Sequence, residues 1–168
     1  MSPPEPQIRV LNDVMEQIGT DRVRRAAADR GIAVDIVERP EAMSLDAAAE
    51  VLGVTPSDIV KTLVVRRHDG DYLFALIPGD RQIDWAKLRT IVGVNRLRLP
   101  EAELAREATG YERGTITPLG SHTAWPVYAD ERIRGKRVAM GAGAHGFSAF
   151  VDADELIIGL GAIVADIS

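Results

Sequence analysis

The spacing of hydrophobic residues changes along the chain, and these changes predict an alternation of helices and strands. From Val10 to Gly31 apolar residues recur every three or four positions, which predicts a helical segment. The Gly-Thr-Asp sequence at 19–21 interrupts this spacing and predicts a break, with its Thr or Asp as the cap of a second piece. Residues 1–8 contain three prolines and are predicted to form a flexible tail.

Capping and turn residues mark the remaining elements. Short helices are predicted where such residues precede helical spacing, at Ser44 to Gly53, Asp84 to Val92 and Pro100 to Ala108. Runs rich in β-branched and aromatic residues predict strands at 34–38, 59–67, 72–77, 95–99, 125–129, 136–140, 147–151 and 163–167. Single turns are predicted at 130–134 and 152–156.

The connections between the strands determine the predicted fold class. Asp69-Gly70 lies between two strand runs and predicts a hairpin. The run 59–67 is apolar on both faces, which predicts an interior strand. Because hairpins outnumber strand–helix–strand units, we predict an α+β fold with a mixed, mostly antiparallel sheet. A chain of 168 residues is most simply one domain, here assigned to residues 9–168.

Composition narrows the classes of function. The sequence has no cysteine, so a disulfide framework, a thiolate nucleophile and a cysteine-ligated zinc site are excluded. The three histidines, His68, His122 and His145, lack metal-binding spacing, and neither a metal nor an organic cofactor is predicted. A net charge of −5 disfavours a broad duplex-binding surface, so DNA is not a predicted partner. Because there is no run of 18 apolar residues and no signal-peptide pattern, we predict a cytoplasmic protein without a membrane partner.

The glycine-rich stretch Thr109–Gly120 is the strongest candidate for chemistry. Three glycines and a proline in twelve residues predict a fixed, irregular backbone, since glycine permits positive φ and proline fixes φ. Gly114 leaves room for a ligand beside the chain, and up to four amide donors before Pro118 can point to one side. Such a row of donors suits a carbonyl oxygen that becomes negative during a reaction.

A second glycine cluster, at 141–146, matches the Gly-x-Gly-x-x-Gly fingerprint of dinucleotide-binding folds. In those folds a helix opens at the third glycine, and an acidic residue follows about 20 positions later. Here a strand-like run follows at once. A tight connection that approaches a ligand or the Gly114 loop is therefore favoured, and a purely structural turn remains open.

Several polar side chains near these segments each have two interpretations. Lys61 interrupts an apolar strand, either as a rim lysine with its ammonium in water or as a cation that faces a pocket. His145 is either a base or an exposed loop residue. Ser148 and Thr117 have no evident His and Asp partners, which disfavours a Ser-His-Asp triad.

Three motifs in a fixed order resemble those of one family. They are the Ile-Val-Lys-Thr-Leu strand at 59–63, the Gly-Tyr-x-x-Gly-x-x-x-Pro-x-Gly loop at 110–120 and the Gly-x-Gly-x-x-Gly connection. Together they are similar to the YbaK/EbsC aminoacyl-tRNA deacylases, relatives of the editing domain of bacterial prolyl-tRNA synthetase. The resemblance runs from about Gly31 to the C-terminus. It implies a curved, mixed sheet flanked by helices, the acceptor end of mischarged tRNA as ligand, and a synthetase as a further candidate partner.

The resemblance also implies roles for individual residues. Lys61 would orient the terminal adenosine and the loop main chain would hold the aminoacyl carbonyl, so the implied catalytic set is Lys61, Gly114, Thr115, Ile116, Thr117 and Pro118. Substrate-binding residues would be Met43, Ser44, Leu45, Thr62, Tyr111, Gly143, His145, Gly146, Phe147 and Ser148. The cysteine-specific branch has an acidic residue where this chain has Ser148. This difference puts cysteine specificity in doubt, and we expect a small amino acid, which is Ala, Ser, Thr or a non-protein analogue.

Three functions remain open at this point. A trans-editing hydrolase would use backbone amides to stabilise the oxyanion, while a ribose hydroxyl of the substrate helps to activate water. A non-catalytic module would sense an aminoacyl end, a nucleotide or a synthetase. An esterase for small acyl esters would ignore tRNA.

Overall fold

The computed structural model describes the backbone of residues 6–168 and the side chains of residues 18–168. The described helices are α1 (Pro6–Asp29), α2 (Leu45–Leu52), α3 (Trp85–Val92), α4 (Ala102–Thr109) and α5 (Ala153–Leu160). The strands are β1 (Val34–Glu38), β2 (Val60–His68), β3 (Asp71–Pro78), β4 (Val127–Asp130), β5 (Arg137–Gly141), β6 (Phe147–Asp152) and β7 (Ile163–Ala165). Residues 1–5 of the predicted tail lie outside the described residues, and α1 already begins at Pro6.

The strands form two sheets. In the three-stranded sheet the order is β1-β6-β5, and both pairs are antiparallel. In the four-stranded sheet the order is β2-β3-β4-β7, with β2 antiparallel to β3 and the other two pairs parallel. A parallel bridge between Ile59 and Ala139 joins the sheets. The predicted α+β class with mixed strand pairing is confirmed, and its strands are divided between the two sheets.

The predicted caps are confirmed where local chemistry sets them. Ser44 Oγ accepts a hydrogen bond from the amide of Ala47 at 3.1 Å and begins α2, and Gly53 ends that helix with φ of 71°. Asp84 Oδ1 accepts from the amide of Lys87 at 3.1 Å and begins α3. A side-chain acceptor at this position satisfies an amide that has no partner within the helix.

Two predictions about helices are wrong. No break occurs at 19–21, and α1 continues through these residues to Asp29. The single turn predicted at 152–156 is the start of a full helix, α5, where Asp152 Oδ1 accepts from the amide of Glu155 at 2.9 Å. The aspartate that suggests a turn is instead an N-cap, and α5 then packs Leu156 into the core.

Two predictions about strands are also wrong. The run 95–99 forms no strand, because only Arg98 pairs, in an isolated bridge with Arg66. The run 59–67 corresponds to β2, which lies at the edge of its sheet and not in the interior. Both faces of β2 are apolar because one face, with Val64, packs into the main core and the other, with Val65, packs with Leu88 of α3, so the pattern shows burial of the faces and not the position of the strand in the sheet.

The main core lies between the two sheets and the helices α1, α4 and α5. It includes Val23 of α1, Phe74 of β3, Met140 of β5 and Leu156 of α5, all at most 3% exposed. A smaller cluster, around Leu88, packs α3 on the other face of the four-stranded sheet. No helix within the described residues is both long enough and apolar enough to cross a membrane.

Candidate active site

The outer edge of β2, which does not pair with β3, borders a cavity of about 640 Å³. The Ile59–Ala139 bridge holds this edge at one end and the Arg66–Arg98 bridge holds it at the other. Between the bridges the edge pairs with no strand of residues 6–168, so its backbone groups are available to a ligand. The cavity is lined by 39, 42–45, 48 and 52 around α2, by 59–64, by 99, 100, 102 and 105 around α4, by 113, 114 and 116, and by 139–141, 147 and 148.

The loop after α4 brings two of the predicted backbone donors to this cavity. Gly114, with φ of 89°, and Ile116 both line it, and their amides have no hydrogen-bond partner among the described residues. The amide of Thr115 donates to Glu112 O at 3.0 Å. Of the four amides expected in a row, that of Thr115 is therefore occupied within the loop itself.

The second glycine cluster supports this loop from behind. Residues 142–146 connect the antiparallel strands β5 and β6, so the tight connection is confirmed and no dinucleotide-binding helix follows. The amide of Gly143 donates to Thr115 O at 3.0 Å. A Cβ on Gly141 would overlap the carbonyl oxygen of Ile116. The absence of side chains at these glycines lets the connection and the loop share one backbone-to-backbone interface.

Four predicted site residues of the loop, Thr115 and the three described next, lie outside the cavity lining. Tyr111 is 2% exposed, and its hydroxyl donates to Leu119 O at 2.7 Å. Burial raises the pKa of Tyr111 to about 12, although the nearby Arg22 acts in the opposite direction. Thr117 is buried and its Oγ1 accepts from the amide of Leu119, while Pro118 lines a separate cavity of about 260 Å³. These side chains fix the shape of the loop.

His145 lies on the outer side of the loop. Its Nε2 is 3.0 Å from Glu112 Oε2, and both side chains are about half exposed. Neither residue lines the cavity, and the same is true of Gly143 and Gly146. His145 is thus an exposed loop residue with a carboxylate partner.

Lys61 and Thr62 both line the cavity but lie on opposite faces of β2, because successive strand side chains alternate. The ammonium of Lys61 donates to Arg81 O, in the turn between β3 and α3. Desolvation lowers the pKa of Lys61, and the charge of Asp80 partly offsets that effect. Thr62 Oγ1 is buried and has no hydrogen-bond partner among the described residues. An unpaired buried hydroxyl beside a cavity is available to a ligand.

Arg39 is a cavity residue that sequence reasoning missed. Its Nε donates to Ser148 Oγ at 2.8 Å, and its amide donates to Gly146 O at 2.8 Å. Ser148 is 5% exposed, so Arg39 fixes its hydroxyl in the wall. An arginine after a strand carries no local signal of this role, since charged residues commonly end strands.

The charge of the lining differs from that of the whole protein. Arg39, Lys61 and Arg113 line the cavity, whereas no Asp or Glu of the described chain does. The whole sequence has 25 acidic and 20 basic residues. A lining with only cationic charges favours an anionic ligand. The predicted pocket residues Met43, Ser44, Leu45 and Phe147 also line it, with Met43 fully exposed at the rim.

Residues 39–157 match the model of the aminoacyl-tRNA editing domain. This chain belongs to that family. The editing domain is 35% identical over 114 residues to the proline–tRNA ligase of Heliobacterium modesticaldum, a match that covers 67% of this chain and 20% of the ligase. The chain therefore spans about a fifth of the length of that ligase.

Shorter relatives match over more of their length. The editing domain is 30% identical over 105 residues to a protein of Enterococcus faecalis named "Putative Cys-tRNA(Pro)/Cys-tRNA(Cys) deacylase EbsC", covering 62% of this chain and 64% of that protein. A crystal structure described as "a putative trans-editing enzyme for prolyl tRNA synthetase" superposes with a TM-score of 0.80 at 30% identity. The match covers 89% of this chain and 96% of that one. These findings confirm the predicted resemblance.

Proposed function

We propose that this editing domain hydrolyses the ester bond of mischarged tRNA and releases an amino acid and uncharged tRNA. The observation that carries the proposal is the cavity itself, where the free backbone amides of Gly114 and Ile116 belong to a lining whose charged residues, Arg39, Lys61 and Arg113, are all cationic. A volume of about 640 Å³ lies within the usual range for a small-molecule site, roughly 300–1,000 Å³, and suits an aminoacyl-adenosine end.

The proposed reaction begins with attack of water on the ester carbonyl carbon. The carbonyl oxygen becomes negative in the tetrahedral intermediate, and the amides of Gly114 and Ile116 stabilise that charge. Collapse of the intermediate breaks the bond to the ribose oxygen, which leaves with a proton. Because no carboxylate or histidine of the described chain lines the cavity, we assign activation of water to the neighbouring ribose hydroxyl of the substrate.

The charges of the lining suggest how the substrate is oriented. Arg39, Lys61 and Arg113 suit the phosphate and the polar groups of the terminal nucleotide, and Lys61 is the proposed contact of the adenosine end. None of the three can pair with the α-ammonium of an aminoacyl group. We assign acceptance of that ammonium to carbonyl oxygens on the outer edge of β2, between the two bridges, where no other described strand pairs with it.

The amino acid side chain is proposed to be small. Phe147, Thr62 and Ile116 line the same cavity as Ser148, whose hydroxyl is held by Arg39. A fixed hydroxyl next to apolar groups fits alanine, serine or threonine. The relation to proline–tRNA ligases supports tRNA(Pro) as a carrier, with the synthetase as a further candidate partner.

A deacylation screen tests the proposal with tRNAs that carry labelled Ala, Ser, Thr, Cys or Pro. The wild type is compared with Lys61→Ala and with Lys136→Ala, a control that removes only a surface ion pair with Asp58. We expect one or two small esters to be hydrolysed by the wild type and the control, and more slowly by Lys61→Ala. The proposal fails if a folded wild type hydrolyses none of the five faster than buffer.

A further inference from the structure

Arg22, on helix α1, binds both ends of the loop that carries Gly114 and Ile116. Its guanidinium donates to the carbonyl oxygens of Thr109 at 3.2 Å and Gly110 at 3.4 Å, where the loop starts. It also donates to the carbonyl oxygen of Gly120, where the loop ends. One side chain thus joins two backbone segments that are separated by the whole loop.

Tyr111 strengthens this junction. Its ring lies under the guanidinium of Arg22, with 4.5 Å between the guanidinium carbon and the ring centroid. Its hydroxyl binds Leu119 O, on the returning segment. Gly120 has φ of 77°, and a Cβ there would lie 2.6 Å from the Tyr111 hydroxyl. The two ends of the loop are therefore closely packed against each other around Tyr111.

Helix α1 also reaches the loop through the second glycine cluster. The backbone of Gly19 contacts that of Gly143, and the amide of Gly143 holds Thr115 O. The segment from Gly114 to Ile116 is thus fixed by α1 from two directions. Arg22 itself does not line the cavity, and it precedes the residues that match the family model.

We propose that Arg22 is a positioning residue for the ester hydrolysis, which holds the Gly114 and Ile116 amides at the separation that the oxyanion requires. The inference rests on the proposed function. A guanidinium presents donors in a planar fork and stacks on an aromatic ring at the same time, whereas an ammonium does neither. Lysine at this position would keep the charge and lose the geometry.

The kinetic test compares Arg22→Ala and Arg22→Lys with Arg25→Ala, an exposed control on the same helix. Removing an effective oxyanion donor lowers kcat by roughly 100-fold or more, so for displaced donors we expect kcat to fall about 10- to 100-fold with KM changed less than about threefold. Millimolar guanidinium should restore part of the kcat of Arg22→Ala and none of that of Arg22→Lys. Unchanged kcat in a folded Arg22→Ala protein would overturn the proposal, as would a fall in kcat that guanidinium does not reverse.

A second measurement does not depend on activity. The ¹⁵N order parameters of the Gly114 and Ile116 amides report the rigidity of the loop, with about 0.85 typical of rigid backbone and values below about 0.6 of flexible backbone. We expect both to fall towards the flexible value in Arg22→Ala and to stay unchanged in Arg25→Ala. Unchanged order parameters would disprove positioning by Arg22 whatever the activity. A loop that loosens in a protein whose wild type hydrolyses no ester would disprove only the proposed function.

Discussion

The backbone of Gly19 in α1 lies directly against the backbone of Gly143 in the β5–β6 connection. A Cβ on Gly143 would lie 2.7 Å from Gly19 O, and a Cβ on Gly19 would overlap Gly143 O. Neither position accepts a side chain while the helix and the connection keep this separation. The glycine that suggests a helix break is therefore required by packing, and the helix passes through it without interruption.

Replacing Gly19 by alanine should destabilise the protein although alanine favours helix. The clash with Gly143 should lower the free energy of unfolding by about 1–3 kcal/mol in a urea titration. Gly159→Ala is the matched comparison, because its Cβ would lie 2.5 Å from Cδ1 and Cγ1 of the Ile32 side chain and 3.1 Å from Arg30 O, so its closest clash is with a side chain and not with backbone. We expect a smaller loss there, because the gain of about 1 kcal/mol in helix propensity is common to both variants and only the clash differs. Equal losses in the two variants would contradict the packing argument.

Thr62→Val separates stability from function at one position. Valine keeps the shape and removes a buried hydroxyl that has no partner among the described side chains and backbone, so the melting temperature should stay the same or rise. If the hydroxyl binds substrate, kcat/KM should fall about fivefold, as expected for one hydrogen bond of about 1 kcal/mol. Thr90→Val, at a surface hydroxyl bonded to Ala86 O, is the control. A lower melting temperature would indicate a partner within the protein, and unchanged kcat/KM would remove Thr62 from the substrate contacts.

The pKa of Lys61 should lie below 10.5 and should depend on Asp80. Desolvation disfavours the charged amine, and the carboxylate of Asp80 counteracts it, so Asp80→Asn should lower the pKa further. Because folding favours the neutral form, this group should make the protein more stable as the pH rises from its folded pKa towards 10.5. NMR of ¹³C-dimethylated lysines measures the pKa directly, with Asp69→Asn as a distant control. A pKa that rises in Asp80→Asn would refute this assignment.

Two carboxylates near the C-terminal residues should make the protein sensitive to acid. Hydrogen bonds from Lys87 and Arg132 lower the pKa of Asp166 to about 2. Burial raises the pKa of Asp130, but its hydrogen bonds with Arg132, Ser168 and Ile167 outweigh that effect, and the net pKa falls below 3.8. Since both folded pKa values lie below the unfolded value, their stabilisation is present above pH 3.8 and lost as the pH falls towards 2.

Melting temperatures between pH 7 and pH 2 check this expectation. Asp166→Asn should melt at a lower temperature than the wild type at neutral pH, and the difference should narrow below pH 3.8. If the melting temperatures of the wild type and Asp166→Asn differed by the same amount at every pH, Asp166 would not contribute through its charge.

Sequence reasoning succeeded where a few neighbouring residues decide the structure. Ser44 and Asp84 cap helices through amides three residues away, so their role is visible in the sequence. The helix break predicted at Gly19 is wrong because local rules treat a glycine as a helix breaker, whereas the contact that requires this glycine is with Gly143, far along the chain. Contacts between distant parts of the chain also decide the cavity wall. The hydrogen bond from Arg39 to Ser148 forms because β1 pairs with β6, and local sequence patterns do not reveal that pairing. Motif order indicated the loop and the lysine strand, but not which amides of the loop are free.

The unpaired edge of β2 also affects how molecules of this protein behave towards one another. A free strand edge invites pairing with a second chain, which is a common route to aggregation. Here the two bridges limit the free length, and the β2 residues from 60 to 64 between them line the cavity. A bound ligand would cover what remains. We expect the protein to resist self-association at high concentration, and any association that does occur to decrease as the cavity fills.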